Sequence, residues 1–180
     1  MPNWHNIGFL FSSTETRKRK MPNTTSILMV CMGNICRSPT AEGVLRRKAE
    51  AAGMARQLRI DSAGTHDYHV GSPPDGRAQK AASGRGYDLA ALRGRQVGDQ
   101  DFAAFDYILA MDRDNLANLR QRCPPQHQHK VRLFLSFSSR FPNLNVPDPY
   151  YGGNKGFEQV LDMVEDAADG LLAEIRRGAA

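Results

Sequence analysis

The chain alternates between short apolar runs and longer segments in which apolar residues recur every three or four positions. The apolar runs are typical of buried parallel strands, and they cover residues 26–30, 58–62, 107–111 and 131–135. The periodic segments between and after these strands predict helices. Strands separated by helices predict a three-layer α/β/α fold, in which a four-stranded parallel sheet is flanked by helices on both faces.

Local signals predict where the helices begin and end. The first helix is predicted to begin at Ser38, because serine can cap a helix and Pro39 suits its first turn, and to end at Gly53. Asp112 is interpreted only as the cap of a later helix. Further helices are predicted over residues 75–86, 99–105 and 155–177. Ligands of such folds bind beyond the carboxyl ends of the strands, which directs attention to the loops there.

Residues 1–25 differ from the rest of the chain, because they show no clear periodicity and become strongly polar after residue 12. We therefore predict a flexible polar extension over 1–25 and one folded domain over 26–180. The formal net charge of +5 is concentrated in the first twenty residues, where a basic cluster spans residues 17–20. The remainder of the chain is nearly neutral, which argues against a nucleic-acid partner.

The chain has three cysteines, an odd and low count that does not suit a secreted disulfide framework. No signal peptide is recognised, and no apolar run approaches the ~20 residues that span a bilayer. Together these features predict a cytoplasmic protein that has no membrane partner. In that compartment the thiols are reduced and available for chemistry.

The loop between the first strand and the first helix carries the strongest chemical signal. It runs from Cys31 to Arg37, where backbone N–H groups can converge on one point and the helix N-terminus adds partial positive charge. Gly33 permits backbone conformations that a side chain would hinder, and the Arg37 guanidinium matches two oxygens of a phosphate. These groups also stabilise a thiolate, so the loop predicts a phosphate site with Cys31 as the nucleophile.

A proton donor is also needed, because an alkoxide or a phenolate is a poor leaving group. Asp148 is the best candidate, since it follows the fourth strand in a loop that Pro147 and Pro149 stiffen. Tyr150 and Tyr151 come directly after it and could stack on a flat aromatic substrate. Asp-Pro and Tyr-Gly are also common in turns, so spacing alone leaves a purely structural turn as an equal alternative.

Four motifs taken together resemble the low-molecular-weight protein tyrosine phosphatases. They occur in the family's order, and the resemblance covers roughly residues 26–178. The motifs are VCMGNICRSPTAE at 30–42, DSAGT at 61–65, DYILAMD at 106–112 and DPYYG at 148–152. The resemblance implies a phosphatase domain that hydrolyses phosphotyrosine through a cysteinyl-phosphate intermediate, without a metal or a cofactor. Cys31 would be the nucleophile, Arg37 the phosphate clamp, and Asp148 the acid that later serves as the base for water.

The resemblance also implies supporting roles. Asn34, Ser38 and Ser62 would form a polar network that holds the loop and orients the thiolate, with Ser38 also donating to the sulfur. A plain helix cap is the alternative for Ser38, and both roles can hold together. Substrate contacts are implied at Met32, Gly33, Asn34, Ile35, Cys36, Ser38, Tyr68, Tyr150 and Tyr151. Core packing is the alternative for Tyr68. His66 and His69 lie in the same loop, where a polar surface role is favoured and a place near the rim of the site is the alternative.

Cys36 has two interpretations. It is a small buried residue of a tight turn, or it forms a reversible disulfide with Cys31 that blocks over-oxidation, as the resemblance implies. Leu92 departs from the family pattern, which often has a histidine at this position that helps to fix the polar network. We therefore expect the Asn34 side chain to be held less rigidly.

Two alternative functions remain open from the sequence. A thiol-coupled arsenate reductase shares the fold and the loop, but its further cysteines typically follow the third strand, where this chain has none. A catalytically weak module that binds phosphotyrosine is the second alternative, and the joint presence of Cys31, Arg37 and Asp148 argues against it. The resemblance implies a monomer that acts on phosphotyrosine proteins, which in bacteria often include an autophosphorylated tyrosine kinase linked to polysaccharide export.

Overall fold

The computed structural model describes residues 24–142 and 145–178. Residues 1–23 of the predicted extension lie outside the described residues, and Thr25 belongs to the first strand rather than to the extension. The strands are β1 (Thr25–Cys31), β2 (Leu58–Gly64), β3 (Tyr107–Ala110) and β4 (Val131–Leu133). The helices are α1 (Arg37–Ala51), α2 (Gly76–Gly84), α3 (Asp101–Ala104), α4 (Arg113–Arg122) and α5 (Gly153–Gly178).

The four strands form one parallel sheet in the order β2-β1-β3-β4. Alternate residues of the central strand β1 enter two separate cores. Ile27 and Met29 pack with residues of α1 and α5, whereas Leu28 and Val30 pack with residues of α3 and α4. Helices therefore cover both faces of the sheet, and the predicted three-layer fold is confirmed.

The long C-terminal helix α5 supplies much of one layer. Its apolar stripe is the one that the sequence predicts, and all of the stripe is buried, at Phe157, Val160, Leu161, Val164, Ala168, Leu171, Leu172 and Ile175. The helix extends slightly beyond the predicted bounds at both ends. Phe157 also packs with Ala78 of α2 and with Cys36, which joins α5 to the loop that follows β1.

Two predicted boundaries are wrong for physical reasons. β4 ends at Leu133, because the rest of its apolar run forms the 3₁₀ helix Phe134–Phe137, which buries Phe134, Leu135 and Phe137 in the core. α1 begins at Arg37, with Cys36 at its N-cap and with no side-chain cap. Ser38 therefore lies inside the first turn, where its hydroxyl is bonded back to the end of β1.

The order of the strands positions the loops that carry the predicted chemistry. The chain leaves β1 for β2 on one side and later reaches β3 on the other, so the carboxyl ends of β1 and β3 form a switch point. The cradle loop (residues 31–38) follows β1 at this point. The tyrosine loop (residues 145–152) reaches the same edge, because the Val146 N–H donates to the carbonyl oxygen of Met111 at 2.8 Å.

Candidate active site

Cys31 is the last residue of β1, and its thiol lies at the floor of the cradle loop, almost wholly buried. Its Sγ atom is 3.0 Å from Oγ of Ser38 and accepts the backbone N–H of Asn34 at 3.3 Å. Ser38 therefore contacts the thiol instead of capping the helix, which corrects the cap interpretation. Both contacts suit a sulfur that carries negative charge, because charge-assisted hydrogen bonds are the stronger ones.

Asn34 holds the cradle loop in place through three hydrogen bonds. Its Nδ2 donates to the hydroxyl oxygens of Ser38 and Ser62 at 2.9 Å each, and its Oδ1 accepts the backbone N–H of Arg95 at 2.9 Å. Its φ of 57° lies in the left-handed region, which Asn adopts more readily than most residues. The side chain of Asn34 therefore has hydrogen-bond partners although position 92 is a leucine.

Gly33 leaves room for a neighbouring ring and does not adopt a positive φ. The positive φ in this loop belongs to Asn34, so the sequence-based reason given for Gly33 is wrong. A Cβ atom on Gly33 would lie only 3.0 Å from Cδ2 of His69, which is tighter than ordinary packing. The ring of His69 therefore comes against the cradle loop at this point.

A buried carboxylate extends the polar network beneath the cradle loop. Ser62 donates its hydroxyl to Oε2 of Glu42 at 2.6 Å, and Arg46 donates to Oε1 of Glu42 at 2.7 Å. Burial raises the pKa of Glu42, and the hydrogen bonds from Ser62 and Arg46 offset only part of that rise. No role of its own is predicted for Glu42 from the sequence, although the residue is part of the first motif.

Arg37 lies at the first turn of α1 and connects three parts of the site. One nitrogen, Nη1, donates to Oδ2 of Asp112 at 2.5 Å and to the carbonyl oxygen of Val146 at 3.3 Å, and Nη2 donates to Oδ2 of Asp148 at 3.4 Å. Burial alone would lower the pKa of Arg37, but the negative charges of Cys31, Asp112 and Asp148 raise it. The guanidinium therefore stays charged in its buried position.

Asp112 has a second role that the sequence analysis missed. One carboxylate oxygen caps α4 by accepting the Asn115 N–H at 2.7 Å, as predicted, while the other binds Arg37. The interpretation of Asp112 as only a cap is therefore wrong. Its place directly after β3, at the same sheet edge as the cradle loop, is the signal that could have revealed the second role.

A cleft of about 210 Å³ opens above Cys31. It is lined by Cys31, Met32, Gly33, Ile35, Cys36, Arg37, His69, Asp148, Tyr150 and Tyr151. Asn34, Ser38 and Ser62 are buried behind this lining and support it. Every lining residue except His69 is among the site residues predicted from the sequence.

Tyr68 is the predicted site residue that the structure does not bring to the cleft. Its side chain is 69% exposed, and its ring stacks on that of His66 with the centroids 5.1 Å apart. The wall position that the resemblance implied for Tyr68 belongs instead to its neighbour His69. The interpretation of His69 as a polar surface residue is corrected for the same reason.

Cys36 lines the same cleft as the nucleophile candidate. Burial raises the pKa of the Cys36 thiol to about 12, with further contributions from the negative charges of Asp75, Cys31 and Asp148. Cys36 is therefore protonated at neutral pH. Cys31 and Cys36 are both free thiols in this structure.

A family model described as low molecular weight phosphotyrosine protein phosphatase matches residues 26–180. The chain belongs to this family. The low molecular weight protein-tyrosine-phosphatase of Streptomyces coelicolor is 42% identical to this phosphatase over 156 residues, which are 85% of this chain and 94% of the relative. A crystal structure of the protein tyrosine phosphatase from Entamoeba histolytica, with Hepes in the active site, has a TM-score of 0.84 at 41% identity and covers 87% of this chain and 100% of that one.

A more distant solved neighbour of this phosphatase is Wzb from Vibrio vulnificus in complex with benzylphosphonate. It is 27% identical, with a TM-score of 0.73 over 83% of this chain and 98% of that one. The chain is therefore a hydrolase that acts on phosphotyrosine, and the arsenate reductase and the weak binding module are set aside. Within residues 24–142 and 145–178, no helix of the phosphatase is long and apolar enough to cross a membrane.

Proposed function

We propose that Cys31, Arg37 and Asp148 carry out phosphotyrosine hydrolysis in two steps. First, the Cys31 thiolate attacks phosphorus, the bond from phosphorus to the tyrosyl oxygen breaks, and the Asp148 carboxyl gives its proton to that oxygen. Then the Asp148 carboxylate takes a proton from water while the water oxygen attacks phosphorus. The bond from phosphorus to sulfur breaks, the thiolate is restored and inorganic phosphate leaves.

The observation that carries this proposal is the contact of one buried arginine with a carboxylate that shares the cleft with the thiol. Nη2 of Arg37 lies 3.4 Å from Oδ2 of Asp148, and both residues line the cleft together with Cys31. Asp112 anchors the other nitrogen of Arg37, which fixes the plane of the guanidinium. A fixed fork of donors can bind two phosphoryl oxygens and stabilise the charge that develops on them.

We propose an aryl phosphate, the phosphotyrosine side chain, as the group that enters the cleft. Apolar and aromatic groups from two loops, Met32, Ile35, Tyr150 and Tyr151, line the cleft around the phosphate position. Support also comes from Wzb, since benzylphosphonate joins an aromatic ring to a tetrahedral anion as phosphotyrosine does. His69 adds a further wall, which the sequence analysis did not assign to the site.

The test of this function is the turnover of a phosphotyrosine peptide and of p-nitrophenyl phosphate. We expect Cys31→Ser to lower kcat by at least about 10⁴-fold, because the nucleophile is lost while the fold is kept. Cys123→Ser is the matched control, because Cys123 is a buried thiol at the end of α4, outside the cleft. Turnover that survives in Cys31→Ser at the level of the Cys123→Ser control would overturn the proposal.

We further propose that the substrate is a phosphotyrosine protein in the cytoplasm, of which a bacterial tyrosine kinase linked to polysaccharide export is one candidate. The odd and low count of three cysteines supports a reducing compartment. The phosphatase would act there as a monomer. Substrate trapping with Cys31→Ser, followed by mass spectrometry, tests the partner. Recovery of small-molecule phosphates alone, with no phosphotyrosine protein, would contradict it.

We propose a protective redox role for Cys36. Peroxide would oxidise the Cys31 thiolate to a sulfenic acid, and the Cys36 thiol would condense with it, forming a disulfide and releasing water. After a peroxide pulse and thiol treatment, we expect the wild-type protein to regain most of its own starting activity and Cys36→Ser to regain only a small part. Equal recovery in the two proteins would leave Cys36 as a packing residue.

A further inference from the structure

Arg77 attaches the tyrosine loop to α2. Its Nη1 donates to the carbonyl oxygen of Tyr150 at 2.9 Å. The same guanidinium lies over the Tyr150 ring, with its central carbon 5.2 Å from the ring centroid, and over the ring of Phe157 at 5.0 Å. A planar guanidinium can donate hydrogen bonds at its edge while its faces contact aromatic rings. One side chain therefore holds both the backbone and the ring of Tyr150.

Arg77 is itself fixed to Asp75, the N-cap residue of α2. Nε and Nη2 of Arg77 donate to the two carboxylate oxygens of Asp75 at 3.0 and 2.8 Å. These bonds from Arg77 lower the pKa of Asp75, so the pair stays ionised at neutral pH. The backbone N–H of Asp75 donates to the carbonyl oxygen of Ile35 at 2.8 Å. Asp75 therefore connects Arg77 to the cradle loop.

One more hydrogen bond extends this path to the proposed acid. The N–H of Tyr150 donates to Oδ1 of Asp148 at 3.1 Å, so Tyr150 binds Arg77 through its carbonyl group and Asp148 through its N–H. We propose that Arg77 is a positioning residue that fixes the Asp148 carboxyl relative to the cradle loop, within reach of the leaving oxygen. This inference rests on the proposed role of Asp148 as the proton donor.

Such a tether matters because burial does not hold Asp148. Its side chain is 42% exposed, and Arg37 contacts its other carboxylate oxygen only at 3.4 Å. A general acid must come within hydrogen-bond reach of the atom that it protonates, and a misplacement of about 1 Å can cost about a hundredfold in rate. The series of hydrogen bonds that runs from Ile35 through Asp75, Arg77 and Tyr150 supplies the restraint that burial does not.

The experiment compares two aryl phosphates whose leaving groups differ in basicity, phenyl phosphate and p-nitrophenyl phosphate. Phenolate needs a proton far more than p-nitrophenolate does, so a misplaced acid affects phenyl phosphate more. We expect Arg77→Ala to lower kcat/KM about tenfold for phenyl phosphate and less than about threefold for p-nitrophenyl phosphate. The kcat/KM of Arg77→Lys for phenyl phosphate should fall between those of the wild type and of Arg77→Ala, because one ammonium group does not match both Asp75 and Tyr150 in a single geometry.

Arg85→Ala is the matched control for the loss of an arginine from this region. Arg85 lies at the C-cap of α2, and its ion pairs are with three carboxylates of α5, at Glu158, Asp162 and Glu165. We expect Arg85→Ala to keep the wild-type ratio of kcat/KM between the two substrates. A change in this ratio equal to that of Arg77→Ala would overturn the inference, because a general loss of stability would then explain both.

The Asp148→Asn background separates this inference from the proposed function. We expect Arg77→Ala to leave the substrate ratio unchanged in that background, because no acid remains to be positioned. Suppose that Arg77→Ala and Arg77→Lys keep the wild-type ratio of kcat/KM between the two substrates, whereas Asp148→Asn changes this ratio steeply. That result would overturn the inference about Arg77 and leave the proposed role of Asp148 as the acid intact. A wild-type ratio in Asp148→Asn itself would overturn the acid role.

Discussion

The cradle loop and the tyrosine loop meet at one cleft but are held in place in opposite ways. In the cradle loop, Asn34 is 2% exposed and its polar atoms bond to other buried groups. In the tyrosine loop, the Asp148 side chain is 42% exposed and Tyr151 is 93% exposed. Burial and a dense hydrogen-bond network fix the first loop, whereas Arg37 and Arg77 hold the second at separate points.

This difference matches what each loop has to bind. A phosphoryl group has one size and shape, so a cradle that is rigid before binding needs no reorganisation during the reaction. The polypeptide around a phosphotyrosine varies, and exposed aromatic rings can accept varied neighbours. We therefore expect changes in the tyrosine loop to lower activity alone, and changes in the cradle loop to lower activity and stability together.

Asp148→Asn tests the tyrosine loop and should give the largest difference between the loss of activity and the loss of stability. We expect kcat to fall by about 10² to 10⁴-fold, because the proton donor is lost. The free energy of unfolding should change by less than about 0.5 kcal/mol, as is usual for a substitution at an exposed site. Steady-state kinetics and urea denaturation measure the two quantities. A large loss of stability would mean that Asp148 is part of the structural framework.

Asn34→Ala tests the cradle loop. It removes three hydrogen bonds and puts alanine at a φ of 57°, so the Arg95 N–H loses its acceptor and the Ser62 hydroxyl oxygen loses one donor. We expect the free energy of unfolding to fall by about 2–4 kcal/mol and kcat/KM to fall about tenfold to a hundredfold. Asn34→Gly relieves the backbone strain without restoring the bonds, so it separates these two causes. A fall in kcat/KM with an unchanged free energy of unfolding would contradict the expectation that changes in the cradle loop lower activity and stability together.

Glu42→Gln tests the outer end of the cradle network and should give the smallest effect. Burial raises the pKa of Glu42, so the folded protein binds this proton more tightly than the unfolded chain does. The stability that this provides is full below the ordinary pKa of a glutamate and is lost as pH rises through the raised pKa. Glutamine has no such titration.

The measurement is urea denaturation of the wild-type protein and of Glu42→Gln between about pH 4 and pH 7. We expect the free energy of unfolding of the wild type, relative to that of the variant, to fall as pH rises. A relative stability that stays constant or rises with pH would contradict the raised pKa. The Glu42 carboxylate, which accepts the Ser62 hydroxyl, would then have no raised pKa.

The parts of the site that the sequence predicted well are those that one segment encodes. Cys31 and Arg37 lie on one loop between a strand and a helix, so their approach follows from local structure alone. Asp148 is 111 residues from Arg37, and its identification depended on the family motif as well as on its place after the fourth strand. The fold itself followed from apolar runs and helical periodicity, which burial in a three-layer structure imposes.

The parts that the sequence did not predict arise from contacts between distant segments. The Arg95 N–H that satisfies Asn34 comes from 61 residues away, so the absence of a histidine at position 92 could not be judged from the motif. Tyr68 and His69 are neighbours on one loop, and no periodic pattern shows which of them turns inward. The close approach of the His69 ring to Gly33 decides it.

In the proposed mechanism, the phosphoryl group is transferred to Cys31 in the cradle loop, and Asp148 of the tyrosine loop assists its release as inorganic phosphate. Asp148→Asn should slow the release and let the intermediate accumulate when p-nitrophenyl phosphate, which has a good leaving group, is the substrate. Acid quenching during turnover, followed by mass spectrometry of the digest, locates the phosphoryl group. We expect it on Cys31. Continued turnover with no phosphorylated protein, or with the phosphoryl group on another side chain, would contradict the account.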